Sequence, residues 1–355
     1  MFPSERGRYM TDKIVNTSVE ESQTDAANRR ASGEFVRGLS GFRGYLGDKD
    51  FPAESGRYHL IVAFNCPWCH RVTLARNLLG LEGSITLDVV FPNRTGNGDA
   101  AGPNLWEFNP ARIATLTGDA LPECTVETGT GKGHRLVKQI YAAEGSNEGS
   151  VPILYDKKQN RIVNNESAEI LRMLNDQAAA LGSSLGDADR PNLYPSDISL
   201  RSKIDTLNGE IYTNINNGAY KAGFSSDQAI YAAAFDNYFN MLDTLEARLA
   251  SDDRPFLTGD AFTEADLRLF PTLYRHDPVY YLRMKLNGAR ILDYPKLWRW
   301  LCRVYALRGV AQSSPLDHCR QGYFGRSWNN VIPLGPTKPM SYPKAYKHPD
   351  LAKLR

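Results

Sequence analysis

The hexapeptide Cys66-Pro67-Trp68-Cys69-His70-Arg71 lies between an apolar run, Tyr58 to Phe64, and a stretch of helical periodicity that ends near Gly80. Proline suits the first position of a helix, because its fixed φ fits and its missing N–H would have no partner there. Pro67 therefore places Cys66 at the N-cap. A thiolate at that position faces unpaired backbone N–H groups and the positive end of the helix dipole, so its pKa falls below the free value. Arg71, one turn on, is positioned to add to the same field. The segment predicts a nucleophilic thiol at the carboxyl end of a strand, where open α/β sheets place their ligand sites.

Other chemistries fit parts of the motif. Cys66-Pro67-Trp68-Cys69-His70 has the C-x-x-C-H spacing of haem attachment, but that chemistry accompanies export, and the N-terminal stretch is polar with scattered Glu and Asp. Zinc needs about four ligands, usually as two close pairs, and Cys124, Cys302 and Cys319 are scattered singles. Two merely buried cysteines would not need Pro-Trp between them and a strand in front.

A chain of 355 residues, 42% hydrophobic and 23% charged, predicts about two globular domains. A net charge of +2 argues against nucleic acid or an anionic membrane as a general partner. No apolar run reaches the length of a membrane span. Five cysteines are too few for a disulfide framework and fit a reducing compartment, so a cytoplasmic location is expected.

Periodicity then divides the chain. An N-terminal extension, residues 1–55, begins polar and becomes rich in glycine and aromatics, as expected of an irregular arm laid over a folded domain. Tyr58 to Phe64, Pro67 to Leu79 (Val72, Ala75, Leu78 and Leu79 on one face) and Ile85 to Val89 read as a βαβ unit. Arg135 to Ala143 reads as a helix. Val151 to Tyr155 and Arg161 to Val163 read as a hairpin, with Pro152 at a strand start and a cis bond before it, and Asn164 to Ser167 opens a helix through Met173. Residues 56–176 thus have the thioredoxin-like order. A Gly-, Ser-, Asp- and Pro-rich linker covers 177–196, and helices are expected over 198–216, 227–250, 263–284 and 294–306 of an all-helical domain, 197–327. Thr263-Glu264-Ala265-Asp266 is a capping box, with Pro271 and Pro278 expected to kink or divide the helix that follows. Residues 328–355 read as a surface-hugging tail.

A thioredoxin-like half followed by an all-helical half resembles the glutathione transferase superfamily, and several stretches resemble its Xi class, the glutathionyl-hydroquinone reductases. These include Phe51 to Leu60, the Cys66 hexapeptide, Asn165-Glu166-Ser167-Ala168-Glu169-Ile170, Ile211-Tyr212, Asn216-Asn217-Gly218-Ala219-Tyr220-Lys221-Ala222-Gly223-Phe224 and Thr263 to Phe270. Asp293-Tyr294-Pro295 and Ile332 to Pro336 complete the match. The resemblance implies Cys66 as catalytic cysteine, Trp106 packing on glutathione, and Val151 pairing with the tripeptide's cysteinyl backbone beside cis Pro152. It implies Glu166 and Ser167 at the γ-glutamyl end, and Tyr212 and Tyr323 as catalytic tyrosines at the quinone, with Tyr220 as a further candidate. Cys69 stands where the family usually has alanine, a possible resolving thiol one turn from the first. The segment around Tyr323 and the insertion from Arg112 to Gly133 also depart from the family pattern.

The implied reaction is reduction of glutathionyl-hydroquinones through a Cys66 mixed disulfide. Glutathione is the co-substrate, with no metal and no organic prosthetic group, and a homodimer is the implied assembly. Two alternatives remain at this stage. One is a glutaredoxin-like thiol–disulfide oxidoreductase using Cys66 and Cys69, and the other is a non-catalytic binding module on the transferase fold.

Overall fold

Strand β1 (Tyr58–Val62) is buried at every position, because it is the central strand that receives partners on both edges. It pairs in parallel with β2 (Thr86–Val89) and antiparallel with β3 (Ile153–Asp156), which pairs antiparallel with β4 (Arg161–Asn164); the order is β2-β1-β3-β4. This computed structural model describes residues 30–96, 104–114, 116, 127, 129–251, 253–325, 331–333 and 335. The crossover from β1 to β2 is helix α1 (Pro67–Leu78), and α2 (Val137–Ala143) and α3 (Ser167–Gln177) complete the thioredoxin-like half.

The expected apolar face of α1 is buried, but so are His70, Arg71, Arg76 and Asn77 on its other sides. Two layers enclose the helix. It packs on α3 within its own half and on α7 (Glu264–Arg275) of the helical half. A helix buried all round must satisfy its polar groups inside the protein. His70, Arg71 and Asn77 do so across the boundary, on Ser314, Asn216 and Ser313, and tie the two halves together, whereas Arg76 donates to the Ile85 carbonyl in its own half.

In the helical half, α4 (Ile198–Ile211) does not stop where the periodicity predicted. It continues through a π-helical turn, Tyr212–Asn216, into α5 (Asn217–Phe224). Asn216 explains the widening: its side chain accepts from Arg71 Nη2 (2.6 Å) and donates to Thr272 Oγ1 (2.9 Å), bridging α1 to α7. Helix α6 (Gln228–Ala250) follows. The capping box forms at the start of α7, where Asp266 Oδ2 accepts from the backbone N–H of Thr263 (3.0 Å). Pro271 lies inside α7, and Pro278 falls in a second π-helical turn, His276–Tyr280, which accommodates its missing N–H. Helix α8 (Pro295–Tyr305) matches expectation, whereas α9 (Leu316–Phe324) was not foreseen.

The arm lies along β4, where Gly44 N–H donates to the Val163 carbonyl (2.8 Å) and Asn165 N–H to that of Phe42 (3.2 Å). The tail expected over 328–355 falls almost wholly outside the described residues, as does most of the 112–133 insertion. Among the described residues no helix is long and apolar enough to cross a membrane.

Candidate active site

Cys66 occupies the N-cap of α1 with extended backbone, and Pro67 is the first helical residue. Its Sγ is half-buried and makes no capping hydrogen bond of regular geometry; as a thiol it donates a long one, 3.8 Å, to the Val151 carbonyl. Burial opposes its ionisation. The Cys69 S–H, the backbone N–H groups of Cys69 and Trp68 at the open helix end, and the charge of Arg275 outweigh that burial and lower the thiol pKa to about 6. Cys69 behaves oppositely. Fully buried and donating toward Cys66, its thiol is pushed well above the ordinary range by burial and by the neighbouring thiolate.

The cation expected to assist Cys66 was Arg71. Its guanidinium instead turns to Asn216 and packs 4.5 Å over the Trp68 ring, with its pKa lowered to about 9 by burial and the nearby charge of Arg268. The cation that acts on Cys66 is Arg275, from the end of α7. It is fully buried and donates to the carbonyls of Phe64 (2.8 Å) and Asn65 (3.0 Å), the two residues before Cys66. Its Nη1 also donates to Pro271 O (2.7 Å) and to His70 Nδ1 (2.9 Å). His70 must therefore carry its proton on Nε2, which donates to Ser314 Oγ (2.9 Å). Burial and the charge of Arg275 hold the imidazole neutral, its pKa well below the usual range. Among the described residues Arg275 has no carboxylate partner, so the thiolate is an anion it can serve.

Three phenols form a chain within electrostatic reach of the thiol. Tyr323 OH shares hydrogen bonds with Tyr220 OH (2.7 Å) and with Tyr280 OH (3.0 Å). Burial raises all three phenols above their ordinary range, and the charge of Cys66 adds to the rise at Tyr220. They stay protonated at neutral pH. Two hydrogen bonds among three hydroxyls leave one O–H uncommitted and available to an acceptor.

Tyr212 is not in this chain. Its ring lies 6.0 Å from Trp68 and Tyr220's 6.4 Å from the same indole, since the π-helical turn keeps the two tyrosines on one face about two turns apart. Tyr212 is 39% exposed, at the rim, and its hydroxyl has no hydrogen-bond partner among the described residues. Trp106 is buried, its ring 4.8 Å from the Arg94 guanidinium. The Val151–Pro152 peptide bond is cis. Glu166 is the N-cap of α3; its Oε1 accepts from Ala168 N–H (3.1 Å) and its Oε2 from Ser40 Oγ of the arm (3.2 Å). Ser167 is the buried first residue of that helix. A carboxylate beside an open helix N-terminus suits an amino acid's ammonium and carboxylate together.

Residues 65–177 match the glutathione S-transferase N-terminal domain family and residues 228–303 the C-terminal domain family. Glutathionyl-hydroquinone reductase PcpF of Sphingobium chlorophenolicum is 38% identical over 88% of this chain and 93% of its own. Glutathionyl-hydroquinone reductase YqjG of Escherichia coli K12 is 39% identical over 86% of this chain and 89% of its own. The chain belongs to the Xi-class glutathione transferases. The glutathione-bound structure of YqjG superposes with a TM-score of 0.72 at 38% identity, covering 84% of this chain and 93% of that one. The Xi-class glutathione transferase of Phanerochaete chrysosporium superposes with a TM-score of 0.75 at 35% identity, over 88% and 96%.

Within this Xi-class site, sequence reasoning missed Arg275 and Tyr280. Arg275 carried a signal. It falls four residues after Pro271 and eight after Leu267, so helical periodicity sets a cation on the buried stripe of α7. Tyr280 carried none that separated it from the other tyrosines.

Proposed function

We propose that the chain reduces glutathionyl-hydroquinones to hydroquinones at the expense of glutathione. The observation that carries this reading is the pairing of a depressed thiol, Cys66, with an uncommitted phenol proton in the Tyr220–Tyr323–Tyr280 chain, whose Tyr220 packs on Trp68 and feels the charge of the thiol. Glutathione lies with its γ-glutamyl end at Glu166 and Ser167 and its cysteinyl backbone at Val151, beside the thiol; Trp106 packs on the tripeptide. The aryl group then points into the helical half. In the keto tautomer of the hydroquinone, the ring carbon that bears sulfur also bears a hydrogen. Cys66 thiolate attacks the glutathionyl sulfur, the S–S bond forms and the S–C bond breaks. The electron pair passes into the ring, whose oxygen takes the charge and accepts the phenol proton. A second glutathione opens the Cys66 mixed disulfide, releasing oxidised glutathione and regenerating the thiolate. The conjugate is reduced and two glutathionyl sulfurs are oxidised, so no metal or prosthetic group enters any step. Homodimeric assembly and a cytoplasmic location belong to the same proposal.

The contact between the two cysteines favours one competing reading, a glutaredoxin-like exchange resolved by Cys69. Full burial and a raised pKa favour Cys69 as a hydrogen-bond donor to the thiolate instead. Steady-state reduction of the glutathione conjugate of menadiol separates the two. Turnover is expected to vanish in Cys66→Ser and to persist within about tenfold in Cys69→Ser, the loss reflecting one thiolate hydrogen bond. A parent that is inactive on the conjugate yet reduces mixed disulfides, with that activity lost in Cys69→Ser, would replace this proposal with the glutaredoxin reading.

A further inference from the structure

The arm does more than cover the edge of β4. Gly33 accepts from Ser226 N–H through its carbonyl (3.1 Å), Glu34 pairs with Lys221 (2.8 Å), and Phe35 packs against Tyr220 and Phe224 of α5. A few residues on, Ser40 donates to Glu166 Oε2 (3.2 Å) and Phe42 N–H to Asn165 Oδ1 (3.1 Å) in the other half. Between these anchors the chain crosses the groove where the two halves meet. Arg37 is at the crossing. Its guanidinium carbon lies 4.4 Å from the centroid of Trp68, 4.7 Å from Tyr220 and 5.6 Å from Phe35.

Cation–π contact holds the guanidinium plane but does not satisfy its N–H groups. Arg37 Nε and Nη2 are buried with no hydrogen-bond partner, and so is the indole nitrogen of Trp68 beneath them. Leaving such donors unpaired is costly, the more so when one is charged. Three unpaired donors, on side chains stacked on one another and on Tyr220 of the phenol chain, describe a place for an oxygen acceptor.

We infer that Arg37 is a substrate-binding residue carried on a strap, and that with Trp68 Nε1 it receives a ring oxygen of the aryl group as that oxygen gains phenolate character. This rests on the proposed hydroquinone chemistry and adds the group that reads the aromatic half of the conjugate. The glutathionyl contacts, Val151, Glu166 and Ser167, all belong to the thioredoxin-like half. The stacking partners of Arg37 are Tyr220, a member of the phenol chain, and Trp68, two residues beyond the thiol. The acceptor is therefore on the aryl side. Aryl conjugates with an ionisable or carbonyl oxygen are the class favoured, and an alkyl conjugate offers Arg37 nothing.

The test uses the full chain carrying Cys66→Ser, which binds without turnover. Binding of the glutathione conjugate of menadiol and of glutathione itself is followed by tryptophan fluorescence, with and without Arg37→Met, which keeps an apolar stack over Trp68. Conjugate affinity is expected to fall about ten- to hundredfold, as for loss of a charge-assisted hydrogen bond. Glutathione affinity should change less than about twofold, and Arg37→Lys should recover part of the loss because it restores charge without the planar fork. Equal weakening of both ligands would reduce the strap to a structural brace, and no change in either would leave Arg37 without a role; each outcome overturns the inference. Turnover of the conjugate by the parent, measured in parallel, tells failure of this inference from failure of the hydroquinone reading.

Discussion

The two sides of the active site are built differently. On the proposed glutathione side, the thiol, the cis proline and the Glu166–Ser167 helix start each sit in a short contiguous stretch whose geometry is set locally. On the proposed aryl side, Tyr220, Tyr280 and Tyr323 come from a helix after one widened turn, a second widened turn and a late short helix; hydrogen bonds 43 and 103 residues apart in sequence join them. Arg275 belongs to both sides. It reaches 205 to 211 positions back along the chain to hold His70 and the two carbonyls before Cys66. A local motif supplies a reactive thiol, and long-range packing decides what the thiol meets.

Replacing Arg275 with Met should have the largest effect, because it severs the sides. The Phe64 and Asn65 carbonyls and His70 Nδ1 lose their donor, at about 1–3 kcal/mol for each buried group left unpaired. The Cys66 thiol should titrate upward from about 6 by part of its depression, since Cys69 and the N–H groups at the helix end contribute more than Arg275, read by thiolate absorbance against pH. Because the thiolate is the reacting form, activity of the parent rises with pH through about 6 and then levels. In the variant that rise moves to higher pH, and turnover at pH 7 falls by up to about tenfold through the titration and further through the unpaired carbonyls beside the thiol. An unmoved titration would show that the helix end and Cys69 suffice.

Tyr323→Phe addresses the aryl side alone. It breaks both phenol hydrogen bonds, and kcat on the menadiol conjugate should fall about ten- to hundredfold with little change in the KM for glutathione. The same substitution at the rim residue Tyr212 should cost less than about threefold, since its hydroxyl touches none of the phenols. Equal losses would return Tyr212 to the catalytic role expected from resemblance. Smallest is Glu166→Gln on the glutathione side, expected to raise the KM for glutathione about tenfold and leave kcat on the conjugate nearly unchanged.

The same contrast explains what could be read in the sequence. The N-cap thiol, the βαβ order, the hairpin, the cis bond and the capping box all depend on residues a few positions apart, and each forms. Helix α9 escaped notice because Leu316 to Phe324 is short, polar and interrupted by Gly322. That glycine is there for tertiary reasons: a Cβ on it would come within 2.6 Å of Asn65, so its absence lets α9 and Tyr323 approach the loop before the thiol. Helical spacing points Arg71 toward Cys66, but α1 is enclosed by the helical half, where Asn216 accepts from its guanidinium. Neither fact is local.

The most direct test is the first half-reaction followed by intact-protein mass spectrometry. The parent is mixed with the glutathione conjugate of menadiol without free glutathione. One glutathione should be retained per chain as a mixed disulfide mapped to Cys66, with one equivalent of menadiol released. An unmodified protein with the conjugate intact, or an internal Cys66–Cys69 disulfide in place of the adduct, would contradict the one-thiol reductase.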